Sequence, residues 1–501
     1  MAKLRLRAPL RFFSPGFLKR LLARPPNIPR VQHSETGNAL ILFLKLLLAQ
    51  FAFKQYVAIR RRRRIQPNKP PPKSVKLVIP DLDHQEFQRS QQYALEKISF
   101  GFFADGYTLV FTLLNLLLAP LVWDGVALDS VLRLGLTTEY ELIRMLAAAI
   151  FMAPFEFIVP LPISAYSTFV IERRFGFNNQ TPKSWFRDHV KSFIVEQSVS
   201  LLLMSGLVIL LRNLGPSGWI YLSTYVTVFI LCFNIVYPEY VAPLFNDFTR
   251  LRDGPVRDGI ESLVTRSGIA CNRIFEVDGS RQSNHSNAYV AGLLRSKRIV
   301  IYDTLLEHLD AAPPRPKGGA KGASSSGAQD SSRETSAAAK IDWQPTEAAV
   351  ESVCAVVAHE IGHSVMHHNW ILLGATAMQF ALIFVLFGAC EENAAQALLD
   401  FGYKDSTSTF LTVQLFLIMY TQIASLPMTI LMNAMTRQLE YAADAYSVKL
   451  GFDIRSSLKR ISRTNLENLD PDPLDAVLRL SHPTTVQRVT AVTNLLKQKL
   501  K

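Results

Sequence analysis

Cysteine is scarce in this chain. The four present, Cys232, Cys271, Cys354 and Cys390, show no CxxC spacing, so no disulfide framework is implied and they read as buried or free thiols. Charged residues are few as well, 19% of 501, against 49% hydrophobic residues and a mean hydropathy of +0.15. Acidic residues are missing from the first 30 positions, where Lys3, Arg5, Arg7, Arg11, Lys19, Arg20, Arg24 and Arg30 stand unopposed. Also missing is any basic run interleaved with aromatics, so the net charge of +13 does not mark a nucleic-acid partner. The charge gathers beside apolar runs, where membrane topology and anionic lipid headgroups account for it.

Those apolar runs are long. A bilayer needs about 20 apolar residues per helix, and seven runs qualify, near residues 38–58, 102–123, 145–171, 193–212, 217–236, 369–389 and 410–432. The third holds Pro154, Pro160 and Pro162, so a kink or break is expected there. The chain then divides into a basic extension (1–37), spans one to five (38–236), a soluble segment (237–368), spans six and seven (369–432) and a second soluble segment (433–501). Within the first soluble segment, residues 311–342 are rich in Pro, Gly, Ser and Ala and read as a mobile insertion. Just before it, Arg298 to Asp303 reads as a short buried strand.

One short stretch carries chemistry: His359, Glu360, Ile361, Gly362, His363. Residues four apart on a helix share a face, so the two histidines can bind one Zn²⁺ through neutral imidazoles. Glu360 lies beside them and can take a proton from water at the metal. The context is helical: Val350, Val353, Cys354 and Val357 recur at helical spacing, with Thr346 as the N-cap. Far along the chain, Glu440 and Asp444 are again four apart. Glu440 can supply a third ligand, leaving the fourth position open, and Asp444 can hold a histidine N–H from behind. His367 and His368 read as interface residues rather than ligands, and Met366, Met378, Met419 and Met428 as packing or lipid contacts.

Topology tests this pairing. The run Arg60 to Arg64 ends span one, and the positive-inside rule puts that end in the cytosol. Arg173, Arg174, Lys183, Arg187 and Lys191 fall on the same side two crossings later. The segment holding His359 is then cytosolic, and spans six and seven return the chain to the cytosol just before Glu440. The Arg-rich start would lie on the opposite side and also has the character of a mitochondrial transit peptide, a minor alternative. At the other end, Lys497 and Lys499 stand fifth and third from the last residue, as in a dilysine retrieval signal of the endoplasmic reticulum.

Further stretches accompany the motif: Glu172 to Thr181, Pro243 to Asn246, Asp278 to Tyr289, Tyr302 to Thr304, Glu440 to Asp444, and Ser481-His482-Pro483 with Arg488. In this order, spaced among seven spans from about residue 90 to 492, they resemble the Ste24-type CAAX prenyl proteases, integral-membrane zinc metalloproteases. The resemblance implies a mainly α, polytopic fold of about seven transmembrane helices around an intramembrane chamber. A soluble zinc protease domain with a small β element would cap it. It implies one Zn²⁺ per chain on His359, His363 and Glu440, with Glu360 as the base. The implied partners are membrane lipid and a protein whose C-terminal CaaX cysteine carries a farnesyl or geranylgeranyl group. Removal of the three residues after that cysteine is the implied reaction. Asn287, Ala288 and Tyr289 would belong to an edge strand that pairs with substrate backbone, His285 would brace it, and His482 and Arg488 would stabilise the oxyanion. The implied location is the endoplasmic reticulum membrane and the contiguous inner nuclear membrane, with the site facing the cytosol or chamber. Two other functions stay open: a quality-control zinc protease needing no prenyl group, and a non-enzymatic scaffold or transporter, against which the base Glu360 argues.

Overall fold

The computed structural model describes residues 38–499 apart from 137–139, 215–217, 272, 293–296, 314–343, 391–392 and 424. The basic extension, nearly all of the 311–342 insertion and the last two residues lie outside the described residues. Six helices are long and apolar enough to cross a bilayer: Asn38–Arg64, His84–Arg133, Glu141–Glu172, Pro182–Asn213, Trp219–Leu244 and His368–Cys390. The seventh expected crossing is a pair, Thr409–Gln422 and Ser425–Lys449, bent by 63°. All seven apolar runs are therefore helical, but the helices outrun them. The second begins at His84, where the Asp83 side chain accepts a hydrogen bond from the Gln85 N–H. A helix has no reason to stop at the edge of the hydrocarbon when its polar continuation packs on protein. In the third, Pro154 stays inside the helix and the break falls at Val159–Pro160, after which a π-helical turn runs from Ser167 to Glu172.

Two cores organise the chain. One, built on Phe43, Trp123, Met145, Leu207, Leu222, Phe384, Leu398 and Leu411, joins residues from across the membrane spans. Next to it Arg144 is buried, bonded to the Trp123 carbonyl, to Asp124 and to Asp405, so the buried cation is fully paired. The other core lies in the protease half. It packs helix α1 (Pro255–Ser267) and helix α2 (Glu347–Val365) on one face of a four-stranded sheet through Ile260, Leu263, Ile299, Ile301, Val353, Val357 and Ile361.

The sheet order is β1 (Phe248–Arg250), β2 (Ile274–Val277), β4 (Arg298–Tyr302), β3 (Ala288–Ala291). β2 and β4 are parallel; β1 and β3 are antiparallel to their neighbours. β4 is the strand expected from the sequence, buried at every position but its last. Strand β3 lies at the sheet edge, so one row of its backbone N–H and C=O groups is available to an incoming chain.

The arginines after the first span do more than set topology. Arg60 pairs with Asp472 at 3.2 Å, Arg61 with Asp475 at 3.0 Å and Arg64 with Asp470 at 2.8 Å. They tie the first span to helix α3 (Pro473–Arg479), whose N-cap is Asp472 and which leads directly into Ser481 and His482.

Candidate active site

Helix α2 begins as its sequence dictates, with Thr346 Oγ1 accepting the Ala349 N–H at 3.2 Å. Its face bearing Val353, Val357 and Ile361 is buried in the core. On the opposite side it meets helix α4 (Ser425–Lys449), and the glycine of the motif sits at the crossing. A Cβ on Gly362 would stand 3.1 Å from Tyr446 Cβ, tighter than ordinary van der Waals contact. Without that atom α4 lies close enough for Ser447 Oγ to reach the Ala355 carbonyl at 3.0 Å, and for Glu440 to reach the histidines.

The three expected ligands come together. His359 Nε2 and His363 Nε2 are 3.2 Å apart; Glu440 Oε2 is 3.5 Å from the first, and Oε1 is 3.3 Å from the second. Taking one ligand atom from each residue, the three lie within 4.8 Å of one another, close enough to converge on a single ion with zinc–donor bonds of about 2.0–2.2 Å. Glu440 Oε2 is buried and makes no hydrogen bond of acceptable geometry among the described residues, although His482 Nδ1 stands 2.9 Å away. Two imidazoles and a carboxylate are a donor set for a borderline metal such as zinc.

Behind the ligands, Asp444 Oδ1 is 2.9 Å from His359 Nδ1, which turns Nε2 toward the centre. Burial disfavours a charge on His359, yet hydrogen bonds to Asp444 and Glu440 outweigh it and push its pKa up to about 9. The acidic surroundings that favour a proton there favour a metal cation for the same electrostatic reason. Glu360, on the same helix, is raised chiefly by burial and then by the charge of Glu440, against the pull of His359 and His363.

Arg488 reaches both carboxylates of the centre. Its guanidinium grips Asp444 through Nε to Oδ2 at 2.9 Å and Nη2 to Oδ1 at 2.6 Å, and Nη1 lies 3.6 Å from Glu440. It holds the carboxylates that hold the histidines. His482 is the most open of the group: its side chain is 61% exposed, with Nδ1 2.9 Å from Glu440 Oε2.

Asn287 precedes β3 by one residue; Ala288 and Tyr289 are in the strand. The Asn287 carbonyl accepts from Tyr302 N–H at 3.1 Å, so the edge is straight up to that point. Sequence reasoning missed Asn465, which pins the same edge by accepting from Ser286 N–H at 3.0 Å and donating to the Ser286 carbonyl at 3.4 Å. His285 stacks on Phe177 with centroids 3.9 Å apart and lies 3.5 Å from Glu172, as a brace would. Two of the quoted stretches thus dock on each other: Asn179 Nδ2 donates to Asn284 Oδ1, and Asn284 Nδ2 to the Gly176 carbonyl. Sequence reasoning also set aside His368, which is buried with Nδ1 2.9 Å from His363 Nδ1.

A membrane-spanning helical chain with an HExxH helix, a distant glutamate at the same centre and a free strand edge defines an integral-membrane metalloprotease. Comparison with known proteins gives the family. Residues 61–247 match the family described as CAAX prenyl protease N-terminal, five membrane helices, and residues 250–496 match peptidase family M48. CAAX prenyl protease 1 homolog of Mus musculus is 31% identical over 456 residues, covering 89% of this chain and 93% of its own. CAAX prenyl protease 1 of Saccharomyces cerevisiae is 29% identical, covering 89% and 93%. The crystal structure of S. mikatae Ste24p superposes with a TM-score of 0.74 at 28% identity, over 94% of this chain and 100% of that one. The chain belongs to the M48 family of metallopeptidases, in its Ste24-type CAAX prenyl protease branch.

Proposed function

We propose that the chain is a zinc endopeptidase that removes the aaX tripeptide from prenylated CaaX proteins, with His359, His363 and Glu440 holding the ion. The observation that carries the reading is the convergence of one ligand atom each from His359, His363 and Glu440 within 4.8 Å, on a chain whose spans belong to this family. Zinc bound there would supply Lewis acidity, lowering the pKa of water toward about 7 and polarising the scissile carbonyl. Glu360 takes the proton of the attacking water and delivers it to the leaving amine. Asp444 keeps the His359 ring oriented, and Arg488 keeps Asp444 oriented. The exposed ring of His482 donates to the oxyanion. Substrate backbone adds to the edge at Asn287, Ala288 and Tyr289, which sets the register of the cut.

The membrane setting suits such a substrate, because a prenyl tail gains about 0.8 kcal/mol for each buried CH₂ and arrives already in lipid. We place the enzyme in the endoplasmic reticulum membrane, with its site open to the cytosol.

The test is cleavage of a farnesylated CaaX peptide and its unprenylated twin by detergent-purified protein, with and without a zinc chelator. Chelator-sensitive cleavage of the farnesylated peptide is expected. Equal turnover of both peptides would remove the prenyl requirement and leave a general membrane zinc protease.

A further inference from the structure

His363 needs a partner behind it as His359 does, and the chain supplies one from an unexpected direction. On a continuous helix a residue five positions on points to another face. Here helix α2 ends, and His367 takes a left-handed φ of 58°, uncommon for a residue with a Cβ. The next helix starts at His368. That turn swings His368 back, 3% exposed, until its ring stands edge-on to His363 with centroids 4.9 Å apart. Nδ1 meets Nδ1 at 2.9 Å, a distance at which one nitrogen donates and the other accepts. His363 Nε2 faces His359 and Glu440, so Nδ1 is the nitrogen left to carry its proton.

We propose that His368 is a positioning residue of the metal centre: its Nδ1 accepts the Nδ1–H of His363 and fixes the tautomer that turns Nε2 to the ion. The two ligand histidines are then oriented by unlike groups, one by the carboxylate of Asp444 and the other by the neutral ring of His368. Because His368 is also the first residue of the sixth span, this hydrogen bond links that helix to a proposed ligand histidine. The inference rests on the zinc reading of the site, which zinc binding by the unaltered protein tests separately.

The experiment is chelator competition for zinc on full-length protein in detergent, comparing His368→Leu, which fills the space without an acceptor, and His368→Gln, which keeps one. Circular dichroism checks that each variant is folded. Loss of an outer partner costs 10–100-fold in metal affinity. His368→Leu is expected to weaken zinc by that factor, and His368→Gln to stay within about threefold of the parent. Leu and Gln variants that bind zinc as the parent does would overturn the proposal. So would variants weakened equally, because the ring would then act only by its shape. Should the Leu variant not fold, His368→Ala against His368→Asn makes the same comparison.

Discussion

Glu360 and Glu440 are both carboxylates beside the same two histidines, yet they answer to different tests. Glu360→Gln keeps the shape and removes the base, so zinc content should stay stoichiometric while turnover of a cleavable peptide falls by about 10²–10⁴-fold. Glu440→Ala removes a donor, and elemental analysis of the purified protein should find the metal gone. Asp444→Ala sits between these cases. It strips His359 of its Nδ1 partner and leaves Arg488 buried without its carboxylate. Zinc should bind about 10–100-fold more weakly, measured by chelator competition. At this scale the sequence was most readable where a role depends on spacing within one helix. His359 and His363 share a face by period alone, as do Glu440 and Asp444. Arg488 was harder, because nothing in its neighbourhood says that its planar fork is taken up by Asp444. His368 was invisible to periodicity, since its approach depends on a left-handed residue that no helical pattern contains.

At the scale of elements, the site exists because α2 and α4 cross at contact distance. Gly362→Val should force them apart at Tyr446; overpacking of this kind costs about 1–3 kcal/mol. The variant should show a lower melting temperature and weaker zinc binding together, whereas Gly259→Val, which would meet Cys354 where α1 packs on α2, should lower stability while leaving zinc affinity unchanged. Elements were legible from the sequence where they are long or wholly apolar: the six single-helix spans, the HExxH helix with its Thr346 cap, and β4. The bounds were less so, because the helices of the second and third spans extend past the membrane on surfaces that only tertiary contacts stabilise. Strands β1 and β2 carry three and four residues, too short for alternation to register, and Asn465 braces β3 from a turn with no pattern of its own.

For the molecule as a whole, the first span and the last soluble segment are joined by three ion pairs at the membrane surface. Arg61 and Asp475 are the least exposed of them, at 23% and 7%. Arg61→Asp should lower kcat/KM by displacing the segment that leads to His482, and Asp475→Arg should do the same. The double exchange should restore about tenfold, the ~1.4 kcal/mol expected of a coupled pair. A double exchange whose loss equals the sum of the two single losses would show that the pair does not orient that segment. High salt should weaken the more exposed Arg64–Asp470 pair first.

The metal ligands lie on opposite sides of two membrane crossings in the order of the chain, with His359 and His363 before the sixth span and Glu440 after the seventh. A ribosome adding roughly 5–20 residues per second therefore exposes the first two ligands several seconds before the third is made. During that interval the nascent protein carries the HExxH helix but no complete cage. Translation order therefore delays closure of the three-residue set until the chain has passed through both of the intervening apolar segments.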